Sequence, residues 1–462
     1  MLSYCFGRTD LGGICLVTND MTTGSPVKLI LYFSIPLLIG NIFQQFYSMV
    51  DTIIVGRFVG IDALAAVGST GSMVFLVNGF VMGLTSGFGV LVSQKFGSKN
   101  DNAIRQATAS AIKLSIISIV LITVISVILA KPVLNLMNTP GNILGDATTY
   151  ITIIYAGTAA TFAYNMISSI LRALGDSKTP LYFLIISSIL NVILDLVFII
   201  NFSMGVAGAA YATIISQGIS GLLCFIYTYK KYDILKLKKE DFKPNKTYAK
   251  KHLRIGIPMA LQFSITAMGI MIVQSALNIF GSAAIASYTA ASKALQLVMQ
   301  PAVTFGVTMS TYCAQNLGAK NYKRIKDGVR ACTKISVITS IIAGLVLIFF
   351  GKYFVMLFIN NPDETILSYA SQCLNIAAIF FIPLGLIFIY RNALQGIGES
   401  FIPMMAGVYE LTARALAAFI LPRFLEYLGI CLADPIAWIA ASVPLAFTYF
   451  KRIKALTDEN IA

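Results

Sequence analysis

The sequence predicts an all-α integral membrane protein, with twelve transmembrane helices in two six-helix lobes that are related by an internal parallel repeat. Of its 462 residues, 57% are hydrophobic and only 12% are charged, about half the charged share of a soluble domain. This composition excludes an ordinary soluble enzyme. It also excludes a disordered or nucleic-acid-binding chain, despite the net charge of +14, because both classes need a polar sequence.

The hydrophobic residues are gathered in blocks of roughly 20, which is long enough to cross a hydrocarbon core of about 30 Å. A transmembrane β-barrel would instead alternate apolar and polar residues in segments of about ten, and the sequence lacks that alternation. In chain order, the predicted spans are 28–56, 64–93, 103–130, 147–171, 179–201, 206–230, 255–280, 284–314, 332–351, 366–390, 402–422 and 434–450.

The basic residues predict the orientation of these spans. If both chain ends are cytoplasmic, the cytoplasmic side receives most of the lysines and arginines, Arg172 and Arg391 among them. The outer side then receives only four basic residues: Arg57, Lys131, Lys352 and Arg423. Membrane proteins usually carry their basic loops inside, so we expect a multi-pass protein of the plasma (inner) membrane with both termini in the cytoplasm.

The two halves of the chain are similar to each other, at offsets of 221 to 223 residues. The matched pairs are 34–37 with 256–259, 60–65 with 281–286, 94–100 (QKFGSKN) with 315–321 (QNLGAKN), and 171–180 (LRALGDSKTP) with 394–403 (LQGIGESFIP). Each half holds an even number of spans. The halves should therefore run parallel, related by an axis along the membrane normal.

The repeat also defines the expected domains. They are an N-terminal cytoplasmic tail (1–27), an N-lobe of helices 1–6 (28–230), a basic cytoplasmic connector (231–254), a C-lobe of helices 7–12 (255–454) and a C-terminal tail (455–462). We expect the connector to be solvated and flexible, so that the lobes can rock around a central cavity. Within the first tail, Met21 begins a more typical stretch than Met1 does, and we expect Met21 to be the natural start.

Few ionisable side chains fall well inside the predicted spans, where a charge is costly and usually faces a cavity or a partner. The acids are Asp51, Asp195 and Glu410, and the bases are Lys293 and Arg414. Asp51 shares one face of helix 1 with Gln44 and Tyr47. Pro36, upstream in the same span, removes a backbone donor and is expected to be a hinge.

Asn191 and Asp195 lie four residues apart on helix 5 and face the same way, and Thr213 follows on helix 6. Carboxylate, amide and hydroxyl oxygens suit Na⁺, and a carboxylate can also carry H⁺. Two carboxylates in one apolar pocket repel each other, so a shared proton would let them titrate as a unit. At the repeat offsets, Asp195 corresponds to Ala418 and Asn191 to Arg414, so the acidic pair exists only in the first half.

Several segments together resemble the multidrug and toxic compound extrusion (MATE) transporters. They are 36–56 (PLLIGNIFQQFYSMVDTIIVG), the loops 94–100 and 171–180, 191–195 (NVILD) and 205–213 (GVAGAAYAT). The resemblance covers about residues 26–454 and implies antiport, in which a drug leaves as Na⁺ or H⁺ enters. It maps the family's N-lobe cation site onto Asp51, Asn191, Asp195 and Thr213, with Tyr150 and Asn165 in the same polar network.

The substrate cavity between the lobes should be lined by polar, aromatic and thioether side chains. The candidates are Gln44, Tyr47, Gln262, Met268, Gln274, Lys293, Glu410 and Arg414, with Phe43, Phe46, Met73, Met271 and Met299. Two readings stay open for Glu410 and Arg414: an ion pair that neutralises both charges, or a role in substrate binding or lobe movement. Lys293 could line the cavity, reach the lipid headgroups or pair with an acid.

We therefore expect a cation-coupled (H⁺ or Na⁺) antiporter that exports amphipathic, mostly cationic organic compounds by alternating access. The alternative is a flippase of the same superfamily for lipid-linked oligosaccharide or peptidoglycan precursors. An enzyme is disfavoured because the single histidine, His252, falls in the connector. The expected partners are the lipid bilayer and small organic cations, without nucleic acid, and we expect a monomer that needs no cofactor. The seven cysteines form no CxxC pair and are expected to be small buried side chains.

Overall fold

The computed structural model describes residues 20–359 and 363–458, and within them every regular element is helical. The N-lobe contains α1 (Pro26–Phe58), α2 (Ile61–Gly97), α3 (Asp101–Leu136), α4 (Gly141–Ala156 and Thr158–Ala173), α5 (Lys178–Leu196) and α6 (Gly205–Lys231). The C-lobe contains α7 (Lys246–Leu277), α8 (Gly281–Val298 and Gln300–Gly318), α9 (Tyr322–Met356), α10 (Glu364–Ile379 and Phe381–Gly396), α11 (Phe401–Ile420) and α12 (Ala433–Asp458).

The helices confirm the predicted all-α membrane architecture. Nine helical stretches in the described residues are long and apolar enough to cross a membrane, or ten if the two parts of α10, bent by 54°, count as one span. That count joins α7 to the first part of α8, and it omits α4, which is interrupted at Gly157. Each of the twelve predicted spans therefore corresponds to one helix or to one interrupted helix.

The connector differs from the prediction, because it is shorter and it is packed. Helix α7 already begins at Lys246, where the Asn245 side chain caps it by accepting the Tyr248 backbone N–H at 3.1 Å. His252 therefore lies in α7 rather than in a loop, and its buried ring is hydrogen-bonded to the Ala107 carbonyl of α3 at 3.0 Å. The remaining connector packs against α3, where Arg105 pairs with Asp241 at 3.7 Å, and Tyr232 and Leu235 are buried, so it is not freely solvated.

Two cysteines correct the expectation that all are plain buried side chains. Cys373 of α10 and Cys431, at the end of the short helix Tyr427–Cys431, form a disulfide with Cα atoms 5.0 Å apart. The expectation is confirmed for Cys224, Cys313 and Cys332, which are buried free thiols. The two remaining cysteines, at positions 5 and 15, lie outside the described residues. A separation of 58 residues leaves no local spacing from which the pair could be recognised.

The repeated motif at 94–100 and 315–321 holds the two lobes together. A Cβ atom on Gly97 would lie 1.8 Å from the Gln315 carbonyl oxygen, and one on Gly318 would lie 1.8 Å from the Gln94 carbonyl oxygen. The two contacts are the same contact made twice, once from each half. Only glycine lets the backbones approach this closely, which explains why both halves keep a glycine at this place in the motif.

The glutamines of this motif repeat the symmetry in their hydrogen bonds. The Gln94 amide donates to the Gly396 carbonyl at 3.0 Å, and the Gln315 amide donates to the Ala173 carbonyl at 2.9 Å. Lys99 and Lys320 stand two residues after the glycine of each motif. Their left-handed backbone, with φ of +55° and +56°, turns the chain. We call the end of the bundle that carries both motifs and the connector the connector face.

The N-terminal segment also docks at the connector face. Met21 is 1% exposed, its backbone N–H donates to the Gln315 side-chain oxygen at 2.9 Å, and its carbonyl accepts from Asn316 at 3.2 Å. Farther into the bundle, the Ser34 and Thr308 hydroxyls are hydrogen-bonded at 2.8 Å, and Asn41 donates to Thr304 at 3.2 Å. In the described residues, the lobes are therefore joined from the middle of the spans to the connector face.

Replacing Gly97 by valine should loosen this closure. The new side chain would overlap the Gln315 carbonyl, and forced overlaps of this kind cost about 1–3 kcal/mol, or roughly fivefold to more than 100-fold in an opening equilibrium. We expect faster hydrogen exchange in peptides spanning residues 94–98 and 315–319. Gly71→Val on the same helix is the control, because a Cβ there meets open space. Equal hydrogen exchange in both variants would contradict the conclusion that the close contact at Gly97 holds the lobes together.

Candidate cation site and central cavity

Two carboxyl groups meet between α1 and α5. Asp51 projects from α1 and Asp195 from α5, and their carboxyl groups lie next to each other. Asp195 is fully buried, and Asp51 is half-buried. The Oδ1 atom of each carboxyl is buried and has no hydrogen-bond partner among the described residues. Such oxygens are costly unless something binds them, so the pair leaves two acceptors available to a ligand.

Asn191 and Thr213 complete the polar group around these carboxyls. With its amide nitrogen turned toward Asp195, Asn191 donates to Asp195 Oδ2 at 2.8 Å, and its oxygen accepts the Thr213 backbone N–H at 3.1 Å. The Tyr47 hydroxyl lies close to the Thr213 side chain. The structure thus brings together the four residues expected at the cation site, and it adds Tyr47, which the sequence placed in the substrate cavity.

The two α4 residues of the expected network behave differently. Tyr150 is 8% exposed and lies within electrostatic range of both carboxyls. Asn165 instead donates to the Thr161 carbonyl of its own helix at 2.8 Å, and it has no hydrogen bond to the carboxyl pair among the described residues. The structure therefore gathers Tyr150 near the site and leaves Asn165 apart from it.

The chemistry of this oxygen set suits a small monovalent cation. Two carboxylates, one amide and one hydroxyl offer hard oxygen ligands, while a proton shared by the carboxyls would equally remove their repulsion. In the described residues, no three histidines, cysteines or carboxylates cluster as metal ligands, so an ion held here would also need the amide and hydroxyl oxygens. The donor set therefore has the chemistry expected of a site for H⁺ or Na⁺.

A second charged group lies in the C-lobe, where Glu410 of α11 is held between two arginines. Its carboxylate accepts from Arg391 at 2.8 Å and from Arg414 at 2.9 Å, and Arg414 also donates to Asp434 at 2.7 Å. Asp434 in turn accepts from the Tyr288 hydroxyl at 3.0 Å. Of the two readings left open for Glu410 and Arg414, the structure contains the ion pair.

Sequence reasoning missed two members of this group. Arg391 was expected at the cytoplasmic end of a span, but α10 runs on to Gly396, and Arg391 is only 6% exposed. Asp434 was not counted as an intramembrane acid because it stands at the start of its span. The two matter only because the fold brings them to Glu410 and Arg414, and no sequence spacing reveals that contact.

The repeat shows which residues the C-lobe has where the N-lobe has its candidate cation site. Arg414 stands where the N-lobe has Asn191, and Gly269 stands, at an offset of 222 residues, where the N-lobe has Tyr47. A Cβ on Gly269 would lie 2.3 Å from Arg414 Nη1, so the guanidinium fills the space that this glycine leaves. A side-chain cation therefore sits in the C-lobe, between Glu410 and Asp434.

A cavity of about 520 Å³ lies between the lobes. Of the expected substrate residues, it is lined by Gln262, Met299, Glu410 and Arg414. The other expected substrate residues do not line this cavity. Met73 is buried and Tyr47 is half-buried elsewhere in the protein. The remaining ones are exposed: Phe43, Gln44, Phe46, Met268, Met271, Gln274 and Lys293. On α7 the lining residues follow one helix face, through 262, 266, 270 and 273, and 268 lies on the opposite side of the helix.

The sequence is similar to a known family of membrane proteins. The MatE family model matches residues 36–197 and 258–420, so it matches both halves at an offset of 222 residues. The chain is 32% identical over 383 residues to the probable multidrug resistance protein YpnP of Bacillus subtilis, covering 82% of this chain and 84% of that protein. It is 28% identical over 446 residues to the probable multidrug resistance protein YoeA of the same organism, covering 94% of this chain and 96% of that protein.

A solved structure shares the fold. A multidrug resistance MATE family transporter in an outward-facing conformation superposes with a TM-score of 0.89 at 23% sequence identity, covering 95% of this chain and 98% of that one. The likeness extends over both lobes and supports the arrangement of twelve helices in two groups of six.

Proposed function

Because the chain belongs to the MATE family and is thus a membrane transporter rather than an enzyme, we propose that it is a multidrug antiporter, driven by H⁺ or Na⁺, that exports amphipathic organic compounds by alternating access. The single observation that carries the proposal is the pair of unpartnered carboxyl oxygens on Asp51 and Asp195. Relatives named as multidrug resistance proteins support the transported class. The expected preference for cationic compounds stays a prediction at this point.

Helix α1 supplies the physical link between cation and substrate. It carries Asp51 in its second half, Pro36 in its first half, and the contacts of Ser34 and Asn41 with α8 of the C-lobe. A cation at Asp51 removes the repulsion that pushes α1 from α5, and Pro36 gives α1 a place to bend. Coupling requires that cation and drug prefer opposite states of the lobes.

We place the connector face in the cytoplasm, because the connector and the motif at 94–100 are rich in lysine and because Lys323, Arg324 and Lys326 follow the motif at 315–321. The plasma membrane is the proposed location. Entry of one cation down a potential of 100 mV then supplies about 2.3 kcal/mol, which sustains more than a tenfold drug gradient. The lobes are joined on the connector face, so this state would release substrate outward.

Transport by the purified protein in proteoliposomes tests the proposal. The vesicles would contain fluorescent dyes that differ in charge, including ethidium, and a Na⁺ gradient or a pH gradient would be imposed separately. We expect one of the two gradients to drive dye movement and an ionophore that dissipates it to stop that movement. Dye transport that depends on neither gradient would contradict cation coupling. Failure to transport any of the dyes would contradict multidrug transport.

A further inference from the structure

The central cavity carries more positive than negative charge. Five charged side chains line it: Arg172, Arg391, Arg414, Glu410 and Asp434. Three guanidiniums therefore face two carboxylates. Arginine stays protonated in proteins, so this excess persists at any physiological pH if both acids are ionised, and it grows if either is not.

Both carboxylates are already used. Glu410 accepts from two arginines, and Asp434 accepts from Arg414 on one oxygen and from the Tyr288 hydroxyl on the other. An organic cation that enters the cavity would have to displace a guanidinium to reach either acid. Breaking a buried pair of this kind costs several kcal/mol, so the acids are poor anchors for a cationic substrate.

Two of the guanidiniums still have donors to offer. Arg172, at the end of α4, donates to the Ser169 hydroxyl at 2.9 Å and forms no ion pair with any described carboxylate. The Nε–H of Arg391 is buried and lacks a partner among the described residues. A planar guanidinium with free donors binds a carboxylate or phosphate strongly, and the surrounding apolar wall, which includes Phe75, Phe263 and Trp438, strengthens the attraction.

We infer that this cavity binds amphiphiles that carry an anionic group, a carboxylate or a phosphate, with Arg172 and Arg391 holding that group and the apolar wall holding the rest. The inference deepens the proposed export function and rests on it in one respect: the bound compound is a substrate only if the protein exports such compounds. Zwitterions with a free carboxylate belong to this class, whereas simple organic cations do not. The expected preference for cationic compounds is thereby reversed.

The chain contains its own reporter for this binding. Trp438 is its single tryptophan and lines the cavity, so energy transfer from Trp438 to a dansyl group measures occupancy. The probes would be 11-dansylaminoundecanoic acid, its methyl ester, and the matching amphiphile that ends in trimethylammonium. They would be titrated against the purified full-length chain in maltoside micelles, and the ester corrects for partition into the micelle.

We expect the carboxylate probe to bind at least about tenfold more tightly than the other two, as a charge-assisted hydrogen bond allows. Arg172→Gln should remove most of that preference and leave ester binding unchanged, and Arg172→Lys should retain part of it. The fold should accept glutamine here, since the matching residue of the second half is Gln395. Lys293→Gln is the matched control, because Lys293 is basic but does not line the cavity.

The inference is overturned if the ammonium probe binds as tightly as the carboxylate, or if Arg172→Gln and Lys293→Gln lower the preference equally. Should Arg172→Gln fail to fold, the ratio of the three probes on the unaltered chain still decides. Dodecyl phosphate and dodecanoate, used as competitors, separate the two sources. Stronger displacement by the phosphate points to a lipid-type headgroup, and stronger displacement by dodecanoate points to a free carboxylate. Binding needs no gradient, so failed transport beside retained anion preference would contradict only the proposed function.

Discussion

Asp51→Asn is expected to abolish gradient-driven export to the level of empty vesicles, while the folded protein remains in the membrane. The asparagine keeps the shape of the carboxyl but removes its charge. Asp195 would then have no second carboxylate to repel, and the site would lose the ligand that attracts Na⁺ or accepts a transferable proton. Because α1 carries this residue and also contacts the C-lobe, the lobes would no longer sense the cation.

The measurement compares dye transport and protein abundance in the same proteoliposomes. Asp62→Asn is the matched control, because Asp62 is an exposed acid in the first turn of α2, and the same change there should leave transport unaltered. Binding of the dansyl carboxylate should persist in Asp51→Asn, since Asp51 does not line the central cavity. Undiminished gradient-driven transport by Asp51→Asn would refute the mechanism.

The candidate cation site could be predicted because charge is scarce in this chain. A carboxylate in the middle of an apolar span has few tolerable surroundings, so Asp51 and Asp195 stood out before their contact was known. The i,i+4 spacing of Asn191 and Asp195 then placed the amide beside one carboxyl. Asn165 shows the limit of such reasoning, because its amide turns back to the Thr161 carbonyl, and helix position alone does not determine that rotation.

The cavity could be predicted only in part, because its charges come from helix ends. Arg172 and Arg391 counted among the basic residues that fix orientation, and by position in the sequence they belong with the cytoplasmic loops. Tertiary packing instead brings both to the wall of one cavity. The tight glycine contact at the connector face was equally hidden: the repeat marked Gly97 and Gly318 as corresponding residues, but it did not show that their helices meet.

The repeat and the asymmetry within it have separate physical causes. The lobes share the backbone contacts that close the connector face, since those depend on glycine and on glutamine amides at matching positions. They differ where charge is buried. Within the described part of the chain, the N-lobe leaves two carboxyl oxygens unpartnered, while the C-lobe pairs Glu410 and Asp434 with arginines. We therefore expect the N-lobe to exchange a cation while the C-lobe keeps its charge constant.

Glu410→Gln tests whether the C-lobe depends on its buried charges, and it should be the most destabilising of the substitutions considered. The carboxylate is buried between Arg391 and Arg414, with side-chain exposures of 9%, 8% and 6% in that order. An amide has the same shape but carries no charge, so Arg391 would lose its only described acid. Removing one partner of a buried ion pair costs about 3–5 kcal/mol, which should appear as a lower melting temperature and an earlier unfolding midpoint in detergent.

Glu399→Gln is the control for this change. Glu399 pairs with Arg452 at 2.8 Å, but that arginine is 47% exposed, and exposed pairs contribute about 0–1 kcal/mol. Adding Arg391→Gln to Glu410→Gln should recover part of the lost stability, because it removes the guanidinium left without an acid. Equal melting temperatures for Glu410→Gln and Glu399→Gln would contradict this expectation. They would mean that water in the cavity already screens Arg391 from Glu410. The C-lobe acids would then be free to bind a cationic substrate.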